Sequence, residues 1–246
     1  MIAYLSPAKN IRTASAPLPL TKPRLEEQTA MLLQSLKAYA PWQLESLLQT
    51  NPKIALRAFE AFQQYSPSAP GWPAAAAFDG IAYRHLHAGD FTKGDWLFAQ
   101  EHLRIASAFY GLLRPLDGIQ PHRLEMALPF RIQNKTLYDF WGDTLCRSLF
   151  EKEDTVVNLA SLEYAKAVRR WLKPGQRFLT CTFVLLRRGK WITLPTEAKA
   201  LRGEMARFLI KNRLQSPEQL QSFTYDGYAY CPASSAGNLW VFAKTP

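Results

Sequence analysis

The sequence predicts a mixed α/β fold, a single domain over residues 1–246 in which a mixed sheet is surrounded by helices. Three observations point there. Short apolar runs rich in β-formers, Ile2 to Leu5, Thr155 to Leu159 and above all Arg177 to Leu186, have the length of buried strands. Other stretches carry helical spacing, clearest in Thr196 to Asn212, where Ala198, Leu201, Met205, Phe208 and Leu209 fall within about 100° of arc. Strands and helices mix without the regular alternation of a doubly wound fold or barrel, and no repeat or linker divides the chain into two balanced cores.

Taken in order, Ile2 to Leu5 is a buried strand ending in Ser6-Pro7-Ala8-Lys9, and Ala14 to Pro23 is an extended proline-rich loop. Leu25, Thr29, Leu32, Leu33 and Leu36 mark a helix that Ala40-Pro41 breaks, and Leu44, Leu47 and Leu48 mark a second. Asn51 caps a third, with Pro52 at its first position. Phe78 to Tyr83 reads as a short extended piece after a helical start at Ala74. Thr92 and Asp95 form a capping box for a helix running to Glu101. Leu137 to Phe150 reads as one helix, and Tyr164 to Leu172 as a short one. Arg187-Arg188-Gly189-Lys190 turns the long strand into Trp191 to Leu194. After the Thr196 to Asn212 helix and a short helix from Ser216, the chain ends in two strands, Tyr228 to Cys231 and Leu239 to Ala243.

Hydrophobic content of 48% and charged content of 20% are those of a globular chain. The net charge is +10, and residues 152–246 alone carry 15 Lys and Arg against 7 Asp and Glu. Such an excess suits either an anionic partner or plain solubility. The cysteines, Cys146, Cys181 and Cys231, are odd in number and far apart, which implies no disulfide framework. The start lacks a basic n-region and a long apolar segment, and no run reaches the ~20 apolar residues of a membrane helix. A cytoplasmic protein without membrane partner is expected.

Several motifs are present in letter only. Ser6-Pro7-Ala8-Lys9 spells S-x-x-K, but it follows a strand, contains proline and lacks the S-D-N and K-T-G companions of penicillin-recognising enzymes. Lys9 still sits at a strand's carboxyl end, where α/β sheets bind ligands. His85, His87, His102 and His122 make no metal-ligand spacing, and no phosphate-binding glycine loop occurs, so neither metal nor cofactor is expected. His122, between Pro121 and Arg123, is of interest by location alone. Lys199, Arg202 and Arg207 share the long helix, either as a solvated face or as a binding face. Gly203 beside Arg202 permits close approach of a ligand or of another backbone. Residues 25–50 have the rhythm of a helix-hairpin-helix element, although two packed antiparallel helices would read alike.

The most informative stretch is Leu103 to Met126, LRIASAFYGLLRPLDGIQPHRLEM, an apolar strand followed by a polar loop with Arg104, Arg114, Arg123, Asp117 and Glu125. With Ser6-Pro7-Ala8-Lys9, Leu137 to Asp143, Asn158 to Lys166, Lys199 to Phe208 and Gly227-Tyr228, this stretch resembles the YaaA family of peroxide-stress proteins over essentially the whole chain. The resemblance implies a bacterial cytoplasmic protein of the hydrogen peroxide response. It also implies DNA binding in a positively charged cleft and through a helix-hairpin-helix element. Carried over by motif, the DNA-binding candidates are Lys9, Arg104, Arg114, Arg123, Lys166, Lys199, Arg202 and Arg207. The chain departs from the family phrase F-x-G-D-V-Y at Ile81, which stands where an acidic residue is usual, and has His122 where the family has tyrosine.

Two functions are therefore expected in competition. The first is DNA binding, with Tyr83, Tyr110 and Trp141 able to stack bases if exposed. The alternative is an enzyme acting on a small anionic or nucleotide-like substrate, because the matched phrases mix bases with acids: Lys9, Asp117, Glu125, Asp143, Glu163 and Lys166. An enclosed pocket favours the second and an open groove the first.

Overall fold

The computed structural model describes residues 1–245. Among these, a nine-stranded sheet forms the centre. Its strands are β1 (Ile2–Leu5), β2 (Leu103–Ser107), β3 (Gly111–Leu113), β4 (Thr155–Leu159), β5 (Arg177–Arg187), β6 (Lys190–Ile192), β7 (Thr224–Tyr225), β8 (Tyr228–Tyr230) and β9 (Leu239–Lys244). The order is β7-β8-β9-β5-β4-β1-β2-β3, with β6 folded back on the far end of β5. The mixed α/β reading holds. The middle five strands, β2-β1-β4-β5-β9, are parallel, and antiparallel strands finish the edges. Every residue of β1 is buried, as a parallel strand covered on both faces requires. The chain passes from β1 outward to β2, then returns across β1 to begin β4. The winding direction reverses between β1 and β4, and a crevice is expected beyond their carboxyl ends.

The helices are α1 (Glu26–Lys37), α2 (Pro41–Leu48), α3 (Pro52–Gln64), α4 (Ala74–Ala77), α5 (Ile81–Leu86), α6 (Lys93–His102), α7 (Leu137–Trp141), α8 (Thr144–Leu149), α9 (Leu162–Arg169) and α10 (Pro195–Lys211). No helix among the described residues is long and apolar enough to cross a membrane. The caps read from sequence form: Asn51 Oδ1 accepts the Ile54 N–H at 2.9 Å, and Thr92 and Asp95 exchange bonds at 2.9 and 3.2 Å. Two readings need correction. The helix expected over Leu137 to Phe150 is α7 and α8, because Gly142 takes φ +51°, outside the helical region. The extended piece expected through Tyr83 stops at Asp79, where Phe78–Asp79 pairs with Asn10–Ile11. Ile81 then opens α5, which buries Tyr83 and Leu86. Residues 25–50 hold α1 and α2, but α2 packs chiefly on α3, and its turn offers Ala40 and Pro41 rather than glycines.

α10 lies tightly on α5. A Cβ at Gly203 would collide with the carbonyl of Ala82, so the close approach that this glycine permits is to another backbone. Ion pairs fix the rest of the helix. Arg207 pairs with both oxygens of Asp90 at 2.7 Å each, while Lys211 and Arg213 meet Asp95 at 2.9 and 2.8 Å. Burial pushes the Asp95 carboxyl up, but hydrogen bonds from Lys211 and Thr92 outweigh it and bring it down to about 2.

Gly203→Ala should destabilise the fold by about 2 kcal/mol or more in urea unfolding. Gly89→Ala, whose Cβ meets nothing within 4 Å, should change stability by less than about 0.5 kcal/mol. Asp95→Asn should lose about 2 kcal/mol at neutral pH. Because the folded carboxyl titrates below its unfolded value, the gap between wild type and variant is full above pH ~4 and closes as pH falls through about 2, which urea titrations across that range would read.

A candidate ligand pocket at the carboxyl edge of the sheet

The crevice expected between β1 and β4 is present as a pocket of about 410 Å³. Its floor is the carboxyl ends of three parallel strands, at Leu5-Ser6, Ser107 and Leu159. The ends of β2 and β4 are turned by local bonds, and that of β1 is tied across the chain. Ser107 Oγ accepts the Phe109 and Tyr110 N–H groups at 3.2 and 3.0 Å, and Asn158 Oδ1 accepts the Ala160 N–H at 3.0 Å. Ser6 Oγ accepts the Ser161 N–H at 2.8 Å, and the Ser6 carbonyl accepts the Tyr83 hydroxyl at 2.7 Å. Ser6 thus ties β1, the start of α9 and α5 together.

The walls carry the charge. Lys9 follows β1, Asp79 ends the extended piece before α5 and Ile81 opens that helix, His122, Arg123 and Glu125 come from the loop after β3, Glu163 and Tyr164 from α9, and Lys199 and Arg202 from α10. Glu125 Oε1 receives Lys9 Nζ at 2.9 Å and Arg123 at 3.4 Å. Glu163 accepts the Ala127 N–H at 3.0 Å and holds the loop to α9. Asp79 is engaged by Arg84 at 3.0 Å. Burial lowers the pKa of the Arg202 guanidinium and raises the Tyr83 and Tyr164 phenols well above their usual range, which keeps both phenols neutral. His122 stacks on Phe109 at 5.1 Å and meets Tyr110 edge-on at 4.9 Å. Desolvation in this nest pushes its imidazole down to about 4.

Of the sequence-derived candidates, the pocket brings together Lys9, Arg123, Glu125, Glu163, Lys199 and Arg202. The others lie elsewhere, each with a partner. Arg104 is buried, and its guanidinium donates to the carbonyls of Gln100 and Leu103 at 2.9 and 2.8 Å, closing the carboxyl end of α6. Arg114 and the fully buried Asp117 lock one turn, with Asp117 also accepting the Thr21 hydroxyl at 2.6 Å. Lys166 rests 4.8 Å over the Tyr138 ring, Asp143 pairs with Arg147 at 3.1 Å, and Arg207 is held by Asp90. Tyr83, Tyr110 and Trp141 are 4%, 1% and 1% exposed, too buried to stack on a base. Sequence reasoning gave Ser6 and Ser161 no place in a site and marked Ile81 only as a departure from the family phrase. The available signal was that Ser6 and Ser161 each lie just past a β-rich run. Among the described residues, no group of three or more His, Cys, Asp or Glu side chains could hold a metal ion.

Comparison with known proteins agrees over the full chain. The family model described as "Peroxide stress protein YaaA" matches residues 1–234. A UPF0246 protein of Tolumonas auensis is 41% identical, covering 99% of this chain and 98% of its own length. One from Saccharophagus degradans is 40% identical, with 99% of both chains covered, and one from Clostridioides difficile is 32% identical over 99% of this chain and 100% of its own. A match of this extent establishes that the chain belongs to the YaaA peroxide stress protein family, UPF0246.

Proposed function

We propose that the pocket between β1 and β4 binds a small anionic compound, and that this is the molecular activity behind a role in peroxide stress. One observation carries the reading. The buried side-chain nitrogen and oxygen atoms without a hydrogen-bond partner among the described residues are Arg123 Nε, Glu125 Oε2 and Arg202 Nε, and all three residues line this one pocket. A buried donor left empty costs about 1–3 kcal/mol, more when charged. Two guanidinium groups in that condition favour a ligand that supplies acceptors. Lys199, exposed and without an ion-pair partner among the described residues, adds charge at the rim. A cavity of about 410 Å³ suits a small molecule, whereas a duplex requires an open groove.

DNA binding is the second reading, and a different surface supports it. β5 continues beyond its last pairing with β4, Thr180 opposite Asn158, and with β6 forms a hairpin whose tip exposes Arg187, Arg188, Lys190 and Trp191. Its cations have no acidic partner among the described residues. Because β5 runs parallel to β1, the tip lies toward the same edge of the sheet as the pocket. Free cations beside an exposed indole suit phosphate contact and base stacking.

In calorimetric titrations with phosphate, pyrophosphate, mononucleotides and dicarboxylates, at least one should bind saturably. Arg123→Met and Arg202→Met should each weaken it by about tenfold or more at unchanged melting temperature. Binding of none of them, with duplex binding abolished by Arg202→Met, would overturn the small-anion reading. For DNA, replacing Arg187, Arg188 and Lys190 together by Ala should flatten the log affinity against log salt slope by about 2–3 and leave small-anion binding intact. An unchanged slope would remove the hairpin from any DNA contact.

A further inference from the structure

We propose that the pocket's ligand is bipolar, with an anionic group seated on Arg123 and Arg202 and an N–H or ammonium donor seated on Glu125 Oε2 and His122 Nε2. This rests on the anion-binding reading above and narrows it. A plain anion offers acceptors only. It would satisfy the free Nε atoms of the two arginines and leave Glu125 Oε2 as it is: buried, ionisable and empty. Glu125 is held in place through its other oxygen, which Lys9 and Arg123 both approach. Its free oxygen is therefore a fixed acceptor rather than a side chain waiting to rotate toward a cation.

His122 supplies the second acceptor. Its Nδ1 lies 2.9 Å from the Gln120 carbonyl, which can only accept, so Nδ1 carries the proton. In the neutral ring Nε2 then bears a lone pair, and no protein donor meets it among the described residues. The aromatic nest of Phe109 and Tyr110 fixes the ring's orientation and favours its neutral form. Donors and acceptors thus stand unpaired in one cavity of about 410 Å³. The chemistry that satisfies both is an amino-bearing anion of nucleotide size or smaller. An amino acid derivative and a nucleoside monophosphate with an exocyclic amine share it.

The test is calorimetric titration of the full chain with matched pairs that differ in the donor alone. These are adenosine 5′-monophosphate against purine riboside 5′-monophosphate, and glutamate against glutarate, with inorganic phosphate as the bare anion. The amino-bearing member of one pair should bind about tenfold or more tightly than its partner, because a buried acceptor rejects a ligand that cannot fill it. Which pair responds identifies the source. Glu125→Gln should erase that preference, and His122→Phe, which keeps the ring packing, should reduce it. Equal binding within each pair would overturn the bipolar ligand while leaving an anion site in place. No binding of any compound, phosphate included, would overturn both. The wild-type comparison stands even if a variant fails to fold.

Discussion

The constraint on which the rest of the molecule depends is the burial of β1. Four residues, Ile2 to Leu5, sit between β2 and β4 with both faces covered, so their backbone groups must pair in register with both neighbours. The register aligns Leu5 with Ile105 and Leu159. Three chain exits are thereby brought to one edge, and the reversal of winding between β1 and β4 keeps a crossover helix from closing it. Ser6 stands where the exits meet, bonded to the backbone of Ser161 and to Tyr83. The pocket is the space that this topology leaves. Its charged walls are added by segments far apart in sequence.

Those walls show why charge alone does not mark a site. Arg104, Arg114 and Arg207 stand in the same sequence stretches as Arg123 and Arg202, yet their guanidinium groups are engaged by carbonyls or carboxylates of the protein. Arg104 closes a helix, Arg114 a turn, and Arg207 clamps α10 to the chain after α5. Arg123 and Arg202 differ in having buried Nε atoms with nothing to bond. The same contrast separates the acids. Asp117 is fully buried and its two oxygens take four hydrogen bonds, from the Arg114 backbone, the Arg114 side chain and Thr21. Glu125 keeps one oxygen free. Asp117 supports the fold, and Glu125 faces the ligand space.

Much of the fold was legible because its signals are local. Asn51 with Pro52, and Thr92 with Asp95, place helix starts through bonds within four residues, and β-rich runs place β4 and β5. What failed was also local in form but decided at long range. Ile81 to Leu86 is helical because α10 covers it, and Gly142 divides α7 from α8 through a backbone angle that its neighbours' periodicity does not disclose. At the site, Lys9 was readable from its position after a strand. The separation of Arg123 from Arg114 was not, since it depends on which oxygens happen to surround each group in space.

Ile81 joins these threads. It lines the pocket at the first turn of α5, where the family phrase that the sequence resembles would imply an acid. A carboxylate there would be favoured by the helix start and would add to Glu125 and Glu163 in the same cavity. With isoleucine, this part of the wall is apolar, and Lys9, Arg123, Lys199 and Arg202 outnumber the lining acids Asp79, Glu125 and Glu163. A wall without a fixed negative charge at this point favours an incoming anion. It leaves Glu125 the buried acceptor against which a ligand's donor must be placed. An isoleucine at this position therefore favours an anion and leaves the free oxygen of Glu125 in place for a ligand's donor.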